Sequence, residues 1–268
     1  MTDPTQRFAN RVENYIKYRP GYPPAILDLL AAKCGLTSAA TVADIGSGTG
    51  ILTRLLLGFS ERRGDPSSQE RSVGPRVYGV EPNREMRAAG ERLLAEFPNF
   101  TSVNGTAEAT TLADASVNII TAGQAFHWFD RRKSRVEFQR LLKPGGYVVL
   151  IWNDRNTTNR PFFRAYEELL LTYGTDYALV NHKNVDASLL GAFFGPAGFG
   201  SASYPNDQTF DFAGLKGRLL SSSYAPEVGH PRHAPMLAAL QSLFDAFQSE
   251  GTVTFDYDTT VYYGQLEH

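Results

Sequence analysis

Three glycines stand at alternate positions in Gly46-Ser47-Gly48-Thr49-Gly50, directly after the apolar run Val42–Ile45. Glycine lets the backbone turn tightly and lets a ligand lie against it without a Cβ in the way. A dinucleotide fingerprint needs Gly-x-Gly-x-x-Gly, but its third glycine would fall on Ile51. The spacing therefore favours a nucleoside that carries a thioether or sulfonium chain over one that carries a pyrophosphate. A plain strand-to-helix turn is the alternative interpretation.

A carboxylate follows the next apolar run along the chain. Glu81 comes directly after Arg76–Val80, and a carboxylate at such a strand end can accept hydrogen bonds from both hydroxyls of a ribose. The separation from Gly50 is longer than usual because the polar, turn-rich stretch Ser60–Gly74 lies between them. We expect that stretch to be a mobile surface loop, since an insertion at the surface costs little. Taken alone, Glu81 would be an exposed surface charge.

An aromatic stretch contains the candidate general base. His127 is the histidine near the expected ligand edge, and it can take a proton from an acceptor. Its alternative role is a packed ring with one hydrogen bond. The ring faces of Trp128 and Phe129 can hold a sulfonium or an apolar substrate, or both rings can belong to the core.

Polar and cationic side chains follow the last strand of the first half. Asn153, Arg155 and Arg160 are candidate substrate ligands, because an arginine there can clamp a carboxylate in bidentate fashion. Each arginine taken singly is more typical of a surface charge. No cluster of histidine, cysteine and acidic residues has metal-ligand spacing, so no metal site is predicted.

Composition narrows the class of protein. The chain has 268 residues and a formal net charge of -2, which gives no general reason to bind nucleic acid or an anionic membrane. The basic run at 131–135 is typical of a solvated helix face. The single cysteine, Cys34, excludes an intrachain disulfide. With no signal-peptide pattern and no apolar run of ~18 residues, we expect a cytoplasmic protein without a membrane partner. The oligomeric state is not predicted.

Strand and helix signals alternate through the first half. The predicted strands are Thr41–Ile45, Arg76–Val80, Phe100–Val103, Val117–Ala122 and Tyr147–Trp152. Helical patterns separate them, with Asn83 and Asp130 as expected N-caps. This alternation predicts a doubly wound, mostly parallel sheet, which binds its ligand at the carboxyl ends of the strands.

The second half predicts two further strands and two amphipathic helices. Ser201–Phe212 and Val253–Tyr263 are expected to form an antiparallel pair that completes a seven-stranded α/β sheet. The predicted domains are a core at 1–153 plus 200–263, and a helical lid over the ligand edge at 154–199 and 213–250. Residues 264–268 are predicted to be a remnant of an expression tag.

Several motifs occur in the order shown by one enzyme family. They are Asp44-Ile45-Gly46-Ser47-Gly48-Thr49-Gly50, Gly79-Val80-Glu81-Pro82, Gly105-Thr106-Ala107-Glu108 and Leu142-Lys143-Pro144-Gly145-Gly146. With them the chain resembles class I methyltransferases that use S-adenosylmethionine (SAM), which have a Rossmann-like fold. Tyr18-Arg19-Pro20-Gly21-Tyr22-Pro23 and Gln124-Ala125-Phe126-His127-Trp128-Phe129 look like the subgroup that includes trans-aconitate methyltransferase-like proteins.

The resemblance implies a set of SAM-binding residues in the glycine loop and after the strands. They are Asp44, Gly46, Ser47, Gly48, Gly50, Glu81, Pro82, Met86, Ala107, Glu108 and Gln124. By resemblance, the glycines would contact the methionine and ribose parts of SAM, Asp44 would act near the ammonium group, and Glu81 would hold the ribose.

The same resemblance assigns the remaining parts of the cofactor. Pro82 and Met86 would pack on adenine, and Ala107 and Glu108 would meet its polar edge. Gln124 would lie near the methionine chain. A short N-terminal helix with Tyr18 and Arg19 would close over the cofactor, and a packed entry segment is the alternative for these two residues.

The expected function is methyl transfer from SAM to a small molecule, with an organic-acid carboxylate as the acceptor that the subgroup suggests. Two alternatives stay open. One is a SAM-binding regulatory protein that does not catalyse. The other is a nicotinamide-dependent oxidoreductase, which Ile51 disfavours.

Overall fold

The computed structural model describes residues 11–59, 74–155, 157, 160–177 and 187–267. Apart from Gly74, the loop predicted for Ser60–Gly74 lies outside the described residues. The described helices are Val12–Tyr18 (α1), Ala25–Cys34 (α2), Ile51–Leu57 (α3), Arg84–Leu93 (α4), Arg131–Leu141 (α5), Pro161–Tyr173 (α6), Ala187–Phe194 (α7), Phe212–Leu220 (α8) and His233–Phe247 (α9). The strands are Thr41–Ile45 (β1), Arg76–Val80 (β2), Phe100–Val103 (β3), Val117–Gly123 (β4), Leu142–Arg155 (β5), Gly200–Phe210 (β6) and Val253–Gly264 (β7).

The strands form one seven-stranded sheet in the order β3-β2-β1-β4-β5-β7-β6. The pairs β1–β2, β2–β3, β1–β4 and β4–β5 are parallel, and the sheet as a whole is mostly parallel with some antiparallel strands. The predicted α/β class and doubly wound sheet are thereby confirmed. Strand order reverses between β1 and β4, which is where such sheets bind ligands.

Capping side chains fix the starts of two helices near the sheet edge. The side-chain oxygen of Asn83 accepts from the Met86 amide at the start of α4. The Asp130 carboxylate accepts from the amides of Arg132 and Lys133 at the start of α5. Both caps were predicted and are confirmed, because a short polar side chain satisfies amide groups that have no partner within the helix.

Three predicted strand boundaries were wrong by two or more residues, namely both ends of β5 and the end of β6. β5 begins at Leu142, directly after α5, and not at Tyr147. Val117 pairs with Leu142 while Ile119 pairs with Tyr147, so the Pro144-Gly145-Gly146 segment forms an irregularity inside the strand. Proline and glycine are tolerated at such irregularities. β6 ends at Phe210 and not at Phe212, because the side chain of Asp211 accepts from the Gly214 amide and starts α8.

The chain divides into two compact units, and each is described by itself. Among the described residues, the first unit contains 11–20, 153–155, 157, 160–177 and 205–258, and the second contains 21–59, 74–152, 187–204 and 259–267.

The second unit has two apolar clusters, to which neighbouring residues of the strands contribute in turn. Val42 and Ile119 belong to one cluster, while Ala43 and Ile120 belong to the other. Consecutive side chains of a strand point to opposite faces, so apolar residues in both positions indicate a sheet covered on both sides. Leu266 is buried in the cluster with Ala43.

The first unit has an aromatic core. Phe255 lies at its centre, with ring centroids 5.4 Å from Phe162, 5.7 Å from Phe163 and 5.0 Å from Tyr166. Apolar residues of α6, α8 and α9 pack around these rings. Within the described residues, no helix is long and apolar enough to cross a bilayer.

Candidate functional site

The glycine loop is fastened to the end of β2. The amides of Gly46 and Ser47 donate to the Val80 carbonyl at 2.8 and 3.1 Å. The Gly48 amide donates to Oε2 of Glu81 at 2.9 Å, and the Asn83 amide donates to Oε1 of the same carboxylate at 2.8 Å. The carboxylate predicted to hold a ribose therefore also holds the glycine loop in place.

Backbone conformation explains the three glycines. Their φ angles are +69° at Gly46, +58° at Gly48 and +86° at Gly50, a region that other residues rarely adopt. A Cβ on Gly46 would lie 2.6 Å from the Ala125 Cβ, and one on Gly50 would lie 2.6 Å from Leu94 Cδ1. A Cβ on Gly48 would lie 3.3 Å from Cε of Met86, the residue expected to pack on adenine.

Asp44 lies buried beneath the loop. The Thr53 hydroxyl donates to its Oδ2 at 2.6 Å, and the Thr121 hydroxyl donates to its Oδ1 at 2.9 Å. Burial raises the pKa of Asp44 to about 6, because the two hydroxyls only partly offset the loss of water. The carboxyl group thus joins β1 to α3 and β4. The sequence held no signal that singled out the two threonines.

Glu81 is also buried, with 8% of its surface exposed. Burial raises its pKa, and the amides of Asn83 and Gly48 oppose that change. The Arg87 guanidinium donates to the Glu81 carbonyl at 2.8 Å, which secures the backbone where β2 ends. Each carboxylate oxygen accepts one backbone amide and keeps lone-pair capacity for a further donor.

The other expected cofactor residues come after β3 and β4. Ala107 is buried, and Oε1 of Glu108 accepts from the Asp130 amide at 2.8 Å. Gln124 follows β4 with φ of +55°, and its amide donates to the Ile151 carbonyl at 2.9 Å. A left-handed conformation at a non-glycine residue is strained and is concentrated at functional sites.

The aromatic stretch is partly core and partly open. Phe126 is fully buried, with its ring 4.7 Å from Phe193 and 6.2 Å from Trp152. Phe129 packs against the same cluster, which supports the core alternative for this residue. His127 and Trp128 are half-buried, and their ring centroids lie 4.8 Å apart.

Tyr18, Arg19 and Asn153 belong to the first unit, where the structure shows packing and hydrogen-bond roles. A Cβ on Gly217 would overlap the Tyr18 ring, and Arg19 donates to the Ser221 carbonyl at 3.0 Å. Asn153 is buried, and its side-chain oxygen accepts from Asn206 at 3.2 Å.

The two candidate arginines of the first unit differ in burial. Arg155 pairs with Glu167, and only 11% of its side chain is exposed. Arg160 pairs with Asp256, and 47% of its side chain is exposed. Arg155 therefore has a buried environment that a surface charge lacks, whereas Arg160 matches the surface alternative.

Comparison with known proteins agrees with this geometry. Residues 43–150 match the family described as "Methyltransferase domain". The chain is 32% identical over 151 residues to an uncharacterized methyltransferase of Schizosaccharomyces pombe, across 56% of this chain and 54% of the relative. It is 36% identical over 154 residues to an uncharacterized methyltransferase of Mycobacterium bovis, across 58% of this chain and 55% of the relative. The matches thus span about half the length of these relatives.

A solved structure supports the fold. A proposed type II methyltransferase from Anaeromyxobacter dehalogenans superimposes with a TM-score of 0.64 at 20% identity, across 94% of this chain and all of that one. The seven-stranded sheet therefore has the class I methyltransferase fold, and residues 43–150 within it are similar to a methyltransferase domain.

Proposed function

We propose that this chain is an enzyme that transfers a methyl group from SAM to a small-molecule acceptor. The observation that carries the proposal is the hydrogen bond of 2.9 Å from the Gly48 amide to the Glu81 carboxylate. It joins the glycine loop to a ribose-type carboxylate at the strand-order reversal of a methyltransferase domain.

The residues at this edge fit the parts of SAM. Glu81 has lone-pair capacity for the ribose hydroxyls, and we assign Pro82 and Met86 to packing on adenine. We assign Asp44, which is buried next to the loop, to the ammonium group, whose charge would favour the ionised carboxylate. Gln124 would hold the methionine chain.

The bound cofactor supplies an electrophilic methyl group, and the chain supplies orientation and exclusion of water. Positioning alone can be worth ~7–11 kcal/mol in an in-line displacement. We propose an organic-acid carboxylate as acceptor, as in the subgroup that includes trans-aconitate methyltransferase-like proteins. The support is the Tyr18–Pro23 and Gln124–Phe129 motifs. Such an acceptor is already ionised at neutral pH and needs no general base.

Calorimetric titration with SAM, S-adenosylhomocysteine and NAD tests the cofactor part of the proposal. We expect both SAM compounds to bind and NAD to give no heat. Binding of NAD without any response to SAM would favour the oxidoreductase alternative and would show that the methyltransferase assignment is wrong.

Turnover separates an enzyme from a silent SAM-binding protein. The assay uses SAM with a labelled methyl group and a panel of organic acids, phenols and amines. We expect label in a carboxyl ester. Label in a phenol or amine would contradict the organic-acid acceptor only, while tight SAM binding with no transfer to any class would favour the regulatory alternative.

A further inference from the structure

Three arginines from different elements of the first unit lie near the side chain of Tyr224. Arg19 follows α1, Arg155 ends β5, and Arg218 lies in α8. The Arg218 guanidinium donates to the Ser222 hydroxyl at 3.1 Å, and Ser222 in turn hydrogen-bonds with Tyr224. Arg155 donates to the Tyr177 hydroxyl at 3.1 Å, and the Tyr177 ring lies 4.8 Å from that of Tyr224. We call Arg19, Arg155, Arg218 and Tyr224 the arginine cluster.

The positive charges of the cluster exceed the negative charges around it. Within the described part of the chain, the one carboxylate that contacts the three guanidiniums is Glu167, which pairs with Arg155. Arg19 is held by the Ser221 carbonyl, and Arg218 by the hydroxyls of Ser222 and Tyr257. None of these groups carries a negative charge. Among the residues that the structure describes, two guanidiniums of the cluster thus have no counter-ion.

Arg218 is buried and Arg19 is half-buried. Only 8% of the Arg218 surface is exposed, and burial together with the nearby Arg218 charge lowers the pKa of Arg19. Burial alone would raise the pKa of Tyr224, but the three guanidiniums outweigh it and lower the pKa. Uncompensated buried charge is expensive, so proteins retain it where a partner of opposite sign offsets the cost.

Hydrogen-bond donors of the cluster are also unused. In the described residues, the buried Nε atoms of Arg19 and Arg155 have no hydrogen-bond partner. Buried donors are nearly always satisfied, and a guanidinium offers five donors in a planar fork that fits carboxylate and phosphate oxygens. A water molecule could accept from these donors but would leave the excess charge.

We propose that the arginine cluster is a binding site for a small molecule with a doubly negative group, either a dicarboxylate or a phosphate. The guanidiniums of Arg19 and Arg218 supply the two charges, and the free Nε donors complete the contacts. The cluster lies in the first unit and includes Arg155, the candidate substrate ligand, so the proposal rests on the proposed function where the bound dianion is itself the methyl acceptor. The competing explanation is internal: Tyr224 could ionise and serve as the counter-ion itself.

Calorimetric titration of the whole chain tests the site, in low-chloride buffer near pH 7.5, where phosphate is mostly doubly charged. The probes are succinate, inorganic phosphate and, as a singly charged comparison, acetate. We expect succinate or phosphate to bind with one site per chain and at least about tenfold more tightly than acetate. The tighter of the two identifies the ligand as a carboxylate or a phosphate. If neither dianion binds to the wild-type protein, the inference is wrong.

Two variants localise the binding. Arg218→Met should weaken the dianion at least about tenfold, since a charged partner is lost. Arg232→Met removes an exposed arginine of the same unit, which donates to the Gly174 carbonyl, and should change affinity by less than about twofold. Equal binding by Arg218→Met and the wild type would contradict the site. If circular dichroism shows that Arg218→Met is unfolded, Arg19→Lys keeps the charge, removes the planar fork and should still weaken binding.

Two further measurements separate the alternatives. Tyrosinate absorbance near neutral pH without added anion would show that Tyr224 is the counter-ion and would overturn the proposal. S-adenosylhomocysteine is titrated into the same preparation. Binding of that compound with no dianion binding refutes the cluster and leaves the proposed function intact, and the reverse result refutes the proposed function alone.

Discussion

At the scale of single residues, the two carboxylates after β1 and β2 have different partners. Glu81 accepts two backbone amides, whereas Asp44 accepts two hydroxyl groups from other elements. A change at Glu81 therefore alters the shape of the glycine loop as well as a cofactor contact. A change at Asp44 mainly alters the charge beneath the loop.

Replacing Glu81 by alanine should weaken SAM binding by about 2–3 kcal/mol, because charged hydrogen bonds to both ribose hydroxyls are lost. It should also lower the free energy of unfolding by about 1–2 kcal/mol, since the Gly48 and Asn83 amides lose their acceptor. Calorimetry and urea unfolding measure the two quantities. Glu81→Gln keeps one acceptor oxygen and should fall between the two proteins. Unchanged SAM affinity in a folded alanine variant would remove Glu81 from the ribose site.

Asp44 should make the protein less stable as pH rises. Its pKa in the folded state is raised to about 6, so the folded state binds more protons than the unfolded state between about pH 4 and 6. The free energy of unfolding should fall through that window by an amount on the order of 3 kcal/mol. Asp44→Asn should lack the decrease, and urea unfolding at several pH values compares the proteins. The same decrease in both would show that Asp44 is not its source.

At the scale of elements, α5 is tied to the segment after β3 by one carboxylate. Glu137 accepts from both the amide and the hydroxyl of Thr110, at 2.8 and 2.6 Å, and pairs with Arg140. Arg140 also bonds the Leu112 carbonyl at 2.8 Å. The segment between β3 and β4, which contains the candidate adenine residues Ala107 and Glu108, is thereby held against the helix.

The Glu137 carboxylate should make the protein more stable as pH rises, which is the opposite of the effect expected for Asp44. Hydrogen bonds from Arg140 lower the pKa of Glu137 to about 2, so its stabilising effect is complete above the unfolded pKa of about 4.3 and is lost as pH falls towards 2. Acid unfolding of Glu137→Gln should show less loss of stability in that range than the wild type. An identical acid transition in both proteins would mean that other carboxylates control it.

The elements near the sheet edge could be read from the sequence because local signals determine them. β1, β2 and β3 coincide with short apolar runs of the sequence. Asn83 and Asp130 act as the caps that their positions indicate. The start of β5 could not be predicted from the sequence, because the irregularity in its pairing with β4 depends on contacts across the sheet.

Contacts between distant residues could not be predicted either. The bond from Gly48 to Glu81 joins residues separated by a loop, and the structure shows that the three glycines have a left-handed backbone. Arg218 had no motif around it, so its place in the arginine cluster became visible only in the structure. Assignment of the cofactor contacts themselves stays a prediction.

At the scale of the whole molecule, the question is whether methyl transfer requires a metal ion or a general base. Within the described residues, no group of three or more histidine, cysteine or acidic side chains could hold a metal ion. His127 remains the candidate base; it is half-buried, and its ring lies tilted against that of Trp128. With a carboxylate acceptor no base is needed, and positioning accounts for the rate.

We therefore expect kcat at saturating SAM to stay nearly flat from about pH 6.5 to 9 with an organic-acid acceptor, because a carboxylate is ionised throughout. Saturation matters, since protonation of Asp44 near pH 6 should affect SAM binding. His127→Ala should lower kcat by less than about tenfold, below the ~10²–10⁴ that loss of a general base costs. His230→Ala, at an exposed histidine of the first unit, serves as the matched control.

A rise through about pH 6.5 in the wild type that disappears in His127→Ala, with a loss near a thousandfold, would make His127 a true base. The acceptor would then be a phenol, an amine or a carbon acid, whose proton must leave before or during transfer.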